Sequence, residues 1–164
     1  MNIKIRKLHA DAAVPAYATS GAVGFDIVAV EDVIIAPGET VKVPTGLAFE
    51  IPEGYEMQVR PRSGVSLKTK LRVANSPGTC DADYRGEVAV IIDNLSKPHP
   101  RFFFRHPVHY NIGSGREGTY IIRKGDRIAQ GVIAPIVHVE FAIVDTLSET
   151  ERGEGGFGST GVSG

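Results

Sequence analysis

The chain of 164 residues has a single cysteine, Cys80, so no internal disulfide framework staples it, and its one thiol suits a reducing compartment. Net charge is equally scarce. Eighteen Lys and Arg stand against 19 Asp and Glu, and a formal charge of -1 supplies no global field to draw the protein to nucleic acid or a membrane. No apolar run approaches the length of a membrane span. The first residues, MNIKIRKLHADAAVPAY, alternate charged with apolar side chains and carry no signal-peptide core. These absences predict a cytoplasmic protein, or one of the host cytoplasm for a virus-encoded chain, without membrane or nucleic-acid partners. Stretches free of breakers are missing too: 19 Gly and 10 Pro cut the chain into pieces too short for helices of ordinary length.

Between the breaks, period-two alternation recurs, and it predicts strands at Ile3–Arg6, Tyr55–Val59 and Val137–Phe141. The apolar runs Val88–Ile92 and Leu47–Phe49 have the pattern of strands buried on both faces. Turn chemistry falls at Pro37-Gly38, Pro44-Thr45-Gly46, Pro52-Glu53-Gly54 and Lys124-Gly125-Asp126. Short strands at roughly ten-residue spacing argue for one all-β sandwich or barrel. One short helix is expected near Ser63 to Lys70, with Ser63 as its cap.

Four clusters could carry chemistry. Arg60-Pro61-Arg62-Ser63-Gly64 sets two guanidinium forks and a hydroxyl at a helix start, either a phosphate cradle or a solvated basic turn. Asn75 to Gly86 has hairpin chemistry. Alternation through its second arm would put Asp81 and Asp83 on one side, as metal ligands, as a general base or as caps of their own turn. Gln130 is a neutral amide at the start of a hydrophobic strand, an edge residue or a donor for a phosphate. Asp26 lies in the apolar stretch Ala22–Ala29, where it must meet a donor, water or a hydrated cation unless it sits exposed at a strand end.

The C-terminal run RGEGGFGSTG, Arg152 to Gly161, contains G-x-G-x-x-G, but no helix can follow it to receive phosphates, which excludes a dinucleotide fold. A P-loop is excluded as well, since no Lys precedes Ser159-Thr160. Its arginine, phenylalanine and hydroxyls fit a mobile arm that orders over a phosphorylated, planar ligand.

Taken in order, A-V-G-F-D, P-R-S-G, G-T-C-D-A-D-Y-R-G, G-D-R-I-A-Q and R-G-E-G-G-F-G-S-T-G resemble the five motifs of the trimeric dUTP nucleotidohydrolases (dUTPases). The resemblance implies a distorted β-jelly-roll (β-clip) homotrimer that splits dUTP into dUMP and pyrophosphate with Mg2+, lowering dUTP and supplying the dTMP precursor. Each of its three sites would borrow motifs from all three subunits. It implies two units: residues 1–151 as the β-barrel domain, and 152–164 as a flexible glycine-rich arm closing over the site. Asp81 would orient and deprotonate the attacking water. Tyr84 would pack against deoxyribose, and Asn75 with the backbone around Gly78, Thr79 and Cys80 would read uracil. Arg62, Ser63, Gly64 and Gln130 would bind phosphates, and Asp26 would touch magnesium through water. In the arm, Arg152, Ser159 and Thr160 would hold the terminal phosphate beside Gly158, with Phe157 over the base. Phe25 and Cys80 depart mildly from the tyrosine and aliphatic residue usual in the family, and Val65–Leu71 drifts from its common continuation. Two other readings stand beside this one, a dCTP deaminase-like or bifunctional relative and a nucleotide-sensing regulatory protein.

One segment stands outside the motifs. Thirty residues between Asn94 and Gly125 are more than a strand connection needs, which implies an insertion at about 96–120. It interleaves Lys97, Arg101, Arg105 and Arg116 with Phe102, Phe103, Phe104 and Tyr110, either a hairpin packed on its own domain or a candidate surface for a protein partner.

Overall fold

The computed structural model describes residues 1–97 and 118–156. Among these, ten strands and one helix follow in order: β1 (Lys4–Lys7), β2 (Phe25–Val28), β3 (Val33–Ile35), β4 (Thr40–Glu50), β5 (Tyr55–Pro61), α1 (Ser63–Lys68), β6 (Leu71–Val73), β7 (Gly78–Cys80), β8 (Val88–Asn94), β9 (Tyr120–Ile122) and β10 (Arg127–Pro135). They form two antiparallel four-stranded sheets, β1-β4-β8-β6 and β2-β10-β5-β7, and a ribbon of β3 with β9. Val43 and Val90 from one sheet, Met57 and Ile128 from the other, and Ile35 and Ile122 from the ribbon are almost fully buried in one core. The expected all-β jelly roll is the fold found. No helix among the described residues is long and apolar enough to cross a membrane.

The long strand β4 serves two partners because it carries a bulge. It pairs with β8 through Pro44, shifts register before Leu47, and pairs with β1 from Leu47 to Glu50. Proline fits there because the ladder is already broken. At the bulge, Gly46 has φ +68°, and a side-chain carbon on it would lie 2.9 Å from His9 and Ala12, so glycine is required twice over. The amide of Gly46 donates to Glu87 Oε1 at 2.7 Å, and Thr45 Oγ1 donates to the carbonyl of Val88. The bulge thus fixes the base of the hairpin that follows β7.

Four local expectations need correction. Val137–Phe141 is not a strand: the chain beyond β10 runs without a partner, with Val137 85% and Phe141 93% exposed. Alternation marks a strand only where a neighbouring strand takes its hydrogen bonds. The run Val88–Ile92 is not buried on both faces, since Ile91 is exposed between buried Val90 and Ile92. Leu47–Phe49, by contrast, is buried throughout. Ser63 does not cap α1. Arg62 occupies that position with extended backbone and no capping side-chain bond, and Ser63 is the first helical residue. Finally, Asp81 to Tyr84 is a turn rather than an extended arm: the amide of Tyr84 donates to the Asp81 carbonyl at 3.2 Å.

Two exposed aspartates tie the N-terminal segment and the β2–β3 connection to the β9–β10 turn. Asp32 accepts from the Lys124 amide at 2.8 Å and from Arg123 Nη1 at 2.7 Å, and Asp11 accepts from Lys124 Nζ at 2.6 Å. The backbone bond from Lys124 and then the Arg123 side chain hold Asp32 below the usual carboxylate range. The Lys124 hydrogen bond and its charge do the same for Asp11. A depressed folded pKa stabilises above the unfolded value of about 4 and is lost as pH falls through the folded one. The double variant Asp11→Asn/Asp32→Asn is therefore expected to be less stable than wild type at pH 7 but to lose less between about pH 5 and 3. Denaturant midpoints across that range give the two slopes, and parallel slopes would refute the linkage.

Candidate active site

The second sheet brings three of the sequence clusters together. Gln130 on β10 stands opposite Asp26 on β2 and Arg60 on β5. Past the end of β5, Arg62 turns back, and its Nε lies 2.8 Å from Asp26 Oδ1. The Nε–H nonetheless makes no hydrogen bond, because it points off that line. Arg127 Nη1 reaches Asp26 Oδ2 at 3.2 Å, and Arg62 Nη1 donates to the Arg127 carbonyl at 3.2 Å. Asp26 thus meets two guanidinium groups, at 24% side-chain exposure, and is not an exposed strand end. Arg62, Gly64, Val65, Lys68, Asp126 and Arg127 line a cavity of about 250 Å³, with three cations around it. Such a surface favours phosphate oxygens.

The hairpin after β6 builds a second cavity, of about 280 Å³. Asn75, Gly78, Thr79, Cys80, Asp81 and Tyr84 all line it, with Val59, Val88 and Ile91 among its apolar walls. β7 is held against β5 by the pairs Met57–Cys80, Gln58–Thr79 and Val59–Gly78. Gly78 is buried, and a side-chain carbon there would sit 3.2 Å from Asn75 Nδ2 and 3.3 Å from Val59, so its absence lets the Asn75 amide lie across the strand. Burial, and next the charge of Asp81, push the Cys80 thiol up, which keeps it protonated and unreactive at neutral pH. Beyond β7 the turn is stapled by Arg85 Nη1, which donates to the carbonyls of Ala82 and Tyr84. Asp81 is exposed and also lines a wider cavity of about 710 Å³ with Tyr55, Glu56 and Arg85.

The hairpin cluster and the basic cluster open into separate cavities of one chain. Ser63 lies exposed on α1. Arg152 is exposed and donates from Nε to the Gly155 carbonyl at 2.7 Å, within its own turn. Phe157, Gly158, Ser159 and Thr160 lie outside the described residues, as do positions 98–117 of the insertion. Sequence reasoning passed over Arg127 and Lys68 as cradle residues and Lys42 and Glu87 as walls of the hairpin cavity. Arg127 was within reach of that reasoning, one residue after the turn at Gly125-Asp126 and beside the odd polar Gln130.

A family model described as dUTPase matches residues 10–99 and 110–161, a span that includes both cavities. The chain belongs to the dUTPase family. The model passes over positions 100–109, inside the inferred insertion. A curated relative, the deoxyuridine 5'-triphosphate nucleotidohydrolase of Nautilia profundicola, is 49% identical over 161 residues, covering 98% of this chain and 99% of its own. Among solved structures, the Staphylococcus bacteriophage 80alpha dUTPase with dUpNHpp superposes with a TM-score of 0.84 at 35% identity, covering 98% of this chain and 99% of that one. A variant dUTPase of S. aureus phage phi11, in which the coordination of a structural Mg(II) ion is described, gives 0.79 at 32% identity over 89% and 98% of the two chains.

Like those dUTPases, this one has a β-clip jelly roll. Its carboxylates do not form a cage: among the described residues no three His, Cys, Asp or Glu gather to hold a metal. Asp26, already paired with two arginines, suits an outer-sphere contact through water rather than direct ligation. This donor set fits Mg2+ carried by a triphosphate, since that ion is commonly bound by one or two carboxylates together with substrate oxygens and retained waters.

Proposed function

We propose that this dUTPase hydrolyses dUTP to dUMP and pyrophosphate by attack of an Asp81-activated water on the α-phosphate. The hairpin cavity carries the reading: the residues of the body that the resemblance assigns to base, water and sugar, Asn75, Gly78, Thr79, Cys80, Asp81 and Tyr84, line one cleft. Asp81 holds the water and takes its proton as the water oxygen bonds to the α-phosphorus. The bond from that phosphorus to the oxygen bridging to the β-phosphate breaks in line, and pyrophosphate leaves with the electron pair. Arg62, Ser63, Gly64 and Gln130 bind the phosphates, and guanidinium charge offsets the charge that develops. Mg2+, when bound with the nucleotide and touched by Asp26 through water, supplies further positive charge to the triphosphate. The hairpin backbone at Gly78, Thr79 and Cys80, with Asn75, satisfies the edge of uracil, and cytosine would leave groups covered by the base unpaired.

The arm, residues 152–164, supplies Arg152, Ser159 and Thr160 to the terminal phosphate and Phe157 to the base. Two features of the single chain support a homotrimer with shared sites. Asp81 and Arg62 open into different cavities, and the segment after β10 leaves Val137, Phe141, Ile143 and Leu147 uncovered, an apolar surface that a second copy would bury.

Pyrophosphate release with dUTP, dTTP, dCTP and UTP tests the activity, and sedimentation tests the assembly. The expected result is turnover of dUTP far above the other three by a trimer. Ammonia from dCTP, or no pyrophosphate from dUTP, would overturn the reading.

A further inference from the structure

Gly86 has no backbone reason to be glycine. The described glycines with left-handed φ are Gly38, Gly46, Gly54, Gly118, Gly125 and Gly153, and Gly86 is not among them. What it lacks is room. A side-chain carbon at 86 would meet the Tyr84 ring, at 2.6 Å from Cζ and 2.9 Å from Cε2, and would come closer still to the hydroxyl oxygen. The ring lies directly over the Gly86 backbone, and its outer part, nearly half exposed, faces the hairpin cavity.

Of the two parties to this contact, the backbone is the one that cannot retreat cheaply; the ring can yield, but only by giving up the hydrogen bond at its tip. The Tyr84 hydroxyl donates to the Glu87 carbonyl at 3.0 Å, which fixes the tip of the ring. Glu87 is itself tied by its carboxylate to the Gly46 amide at 2.7 Å, in a bulge crowded by His9 and Ala12. Val88, next along, enters the β8 ladder opposite Leu47. With the backbone held on that side, a methyl group at 86 displaces the ring.

We propose that Gly86 is a positioning residue that sets nucleotide selectivity: by leaving its own face bare, it seats the Tyr84 ring at the depth where the ring excludes a 2'-hydroxyl. This rests on the reading of Tyr84 as the wall against deoxyribose. A wall moved by even one ångström no longer meets the sugar where a 2'-hydroxyl would project, so selectivity suffers along with rate.

The experiment is a double-mutant cycle, with kcat/KM for dUTP and for UTP measured on wild type, Gly86→Ala, Tyr84→Ala and the double variant. Gly86→Ala is expected to lower the dUTP-to-UTP ratio by about tenfold, and to change it less than about twofold where Tyr84 is already alanine, because the methyl then meets no ring. A wild-type ratio in Gly86→Ala, with a reduced one in Tyr84→Ala, overturns the role of Gly86 and leaves that of Tyr84 intact. An unchanged ratio in Tyr84→Ala overturns the sugar wall and the inference with it. An equal effect of Gly86→Ala in both backgrounds assigns the glycine to the backbone and refutes the proposal. Should Gly86→Ala fail to fold, the thermal melt of the double variant decides: recovery of folding on removal of the ring supports the contact, and continued failure refutes it.

Discussion

Replacing Asp81 by asparagine is expected to slow turnover of dUTP by roughly 10²- to 10⁴-fold, the usual contribution of a positioned base. Nucleotide affinity should stay within a small factor. The amide keeps the size and the hydrogen-bonding reach of the carboxylate, so a water can still be held, but it cannot take that water's proton. The fold should not register the change, because among the described residues the Asp81 side chain has no hydrogen-bonding or ion-pair partner to lose. Quenched-flow rates of pyrophosphate formation with enzyme in excess isolate the chemical step from product release, and equilibrium binding of dUTP to the same variant separates activation from affinity. Residual hydrolysis above a tenth of the wild-type rate would sink the assignment of Asp81 as the base. A loss of affinity as large as the loss of rate would recast it as a binding residue.

Why the sequence disclosed so much of this molecule, and where it fell silent, follows from the range of the interactions concerned. Alternation at Tyr55–Val59 reports a strand correctly because β5 has β10 on one side and β7 on the other. The same alternation at Val137–Phe141 misleads, since no strand among the described residues takes its hydrogen bonds. The turn at Asp81–Tyr84 was hidden by its own alternation, because a pattern of residue types cannot say where the ladder stops and Arg85 begins to staple carbonyls.

The site divides in the same way. That Asp26 must meet a donor follows from the cost of burying a bare carboxylate, and it does meet one. That the donor is Arg127, with Arg62 as a second charge partner, depends on how β2, β10 and β5 lie side by side, a non-local fact that spacing does not encode. The ordered clusters led to the family, because their identities and sequence survive without coordinates. Their division between two cavities becomes visible only when the sheets are assembled, and it is what makes a second copy of the chain part of the chemistry under the proposed reading.

Substituting Asn94 should give the largest loss of stability. Its side chain, in a residue only 1% exposed, donates from Nδ2 to the carbonyls of Ile35 at 3.0 Å and Gly118 at 2.6 Å, and accepts from the Ser96 amide at 3.0 Å. One amide thereby joins the end of β8 to β3 and to Gly118, two residues before β9, and closes both ends of the insertion at one point. Gly118, at φ +78°, crowds against Ser96 so closely that a side-chain carbon there would lie 2.7 Å from Ser96 Cβ. Asn94→Ala strands two carbonyls and an amide at about 1–3 kcal/mol for each group that water does not reach, so a total of roughly 2–4 kcal/mol is expected. Asn94→Asp separates hydrogen bonding from size. The carboxylate oxygen that replaces Nδ2 would face two carbonyl oxygens without a donor, which raises the folded pKa above the unfolded value of about 4. A raised carboxyl pKa costs stability at neutral pH and returns it as pH falls through the folded value, where the protonated group donates again. The gap between wild type and Asn94→Asp should therefore narrow from pH 7 toward pH 5, while the gap for Asn94→Ala stays constant. Urea midpoints at fixed protein concentration measure both, and a pH-independent gap for Asn94→Asp would mean that the carbonyls of Ile35 and Gly118 had found other partners.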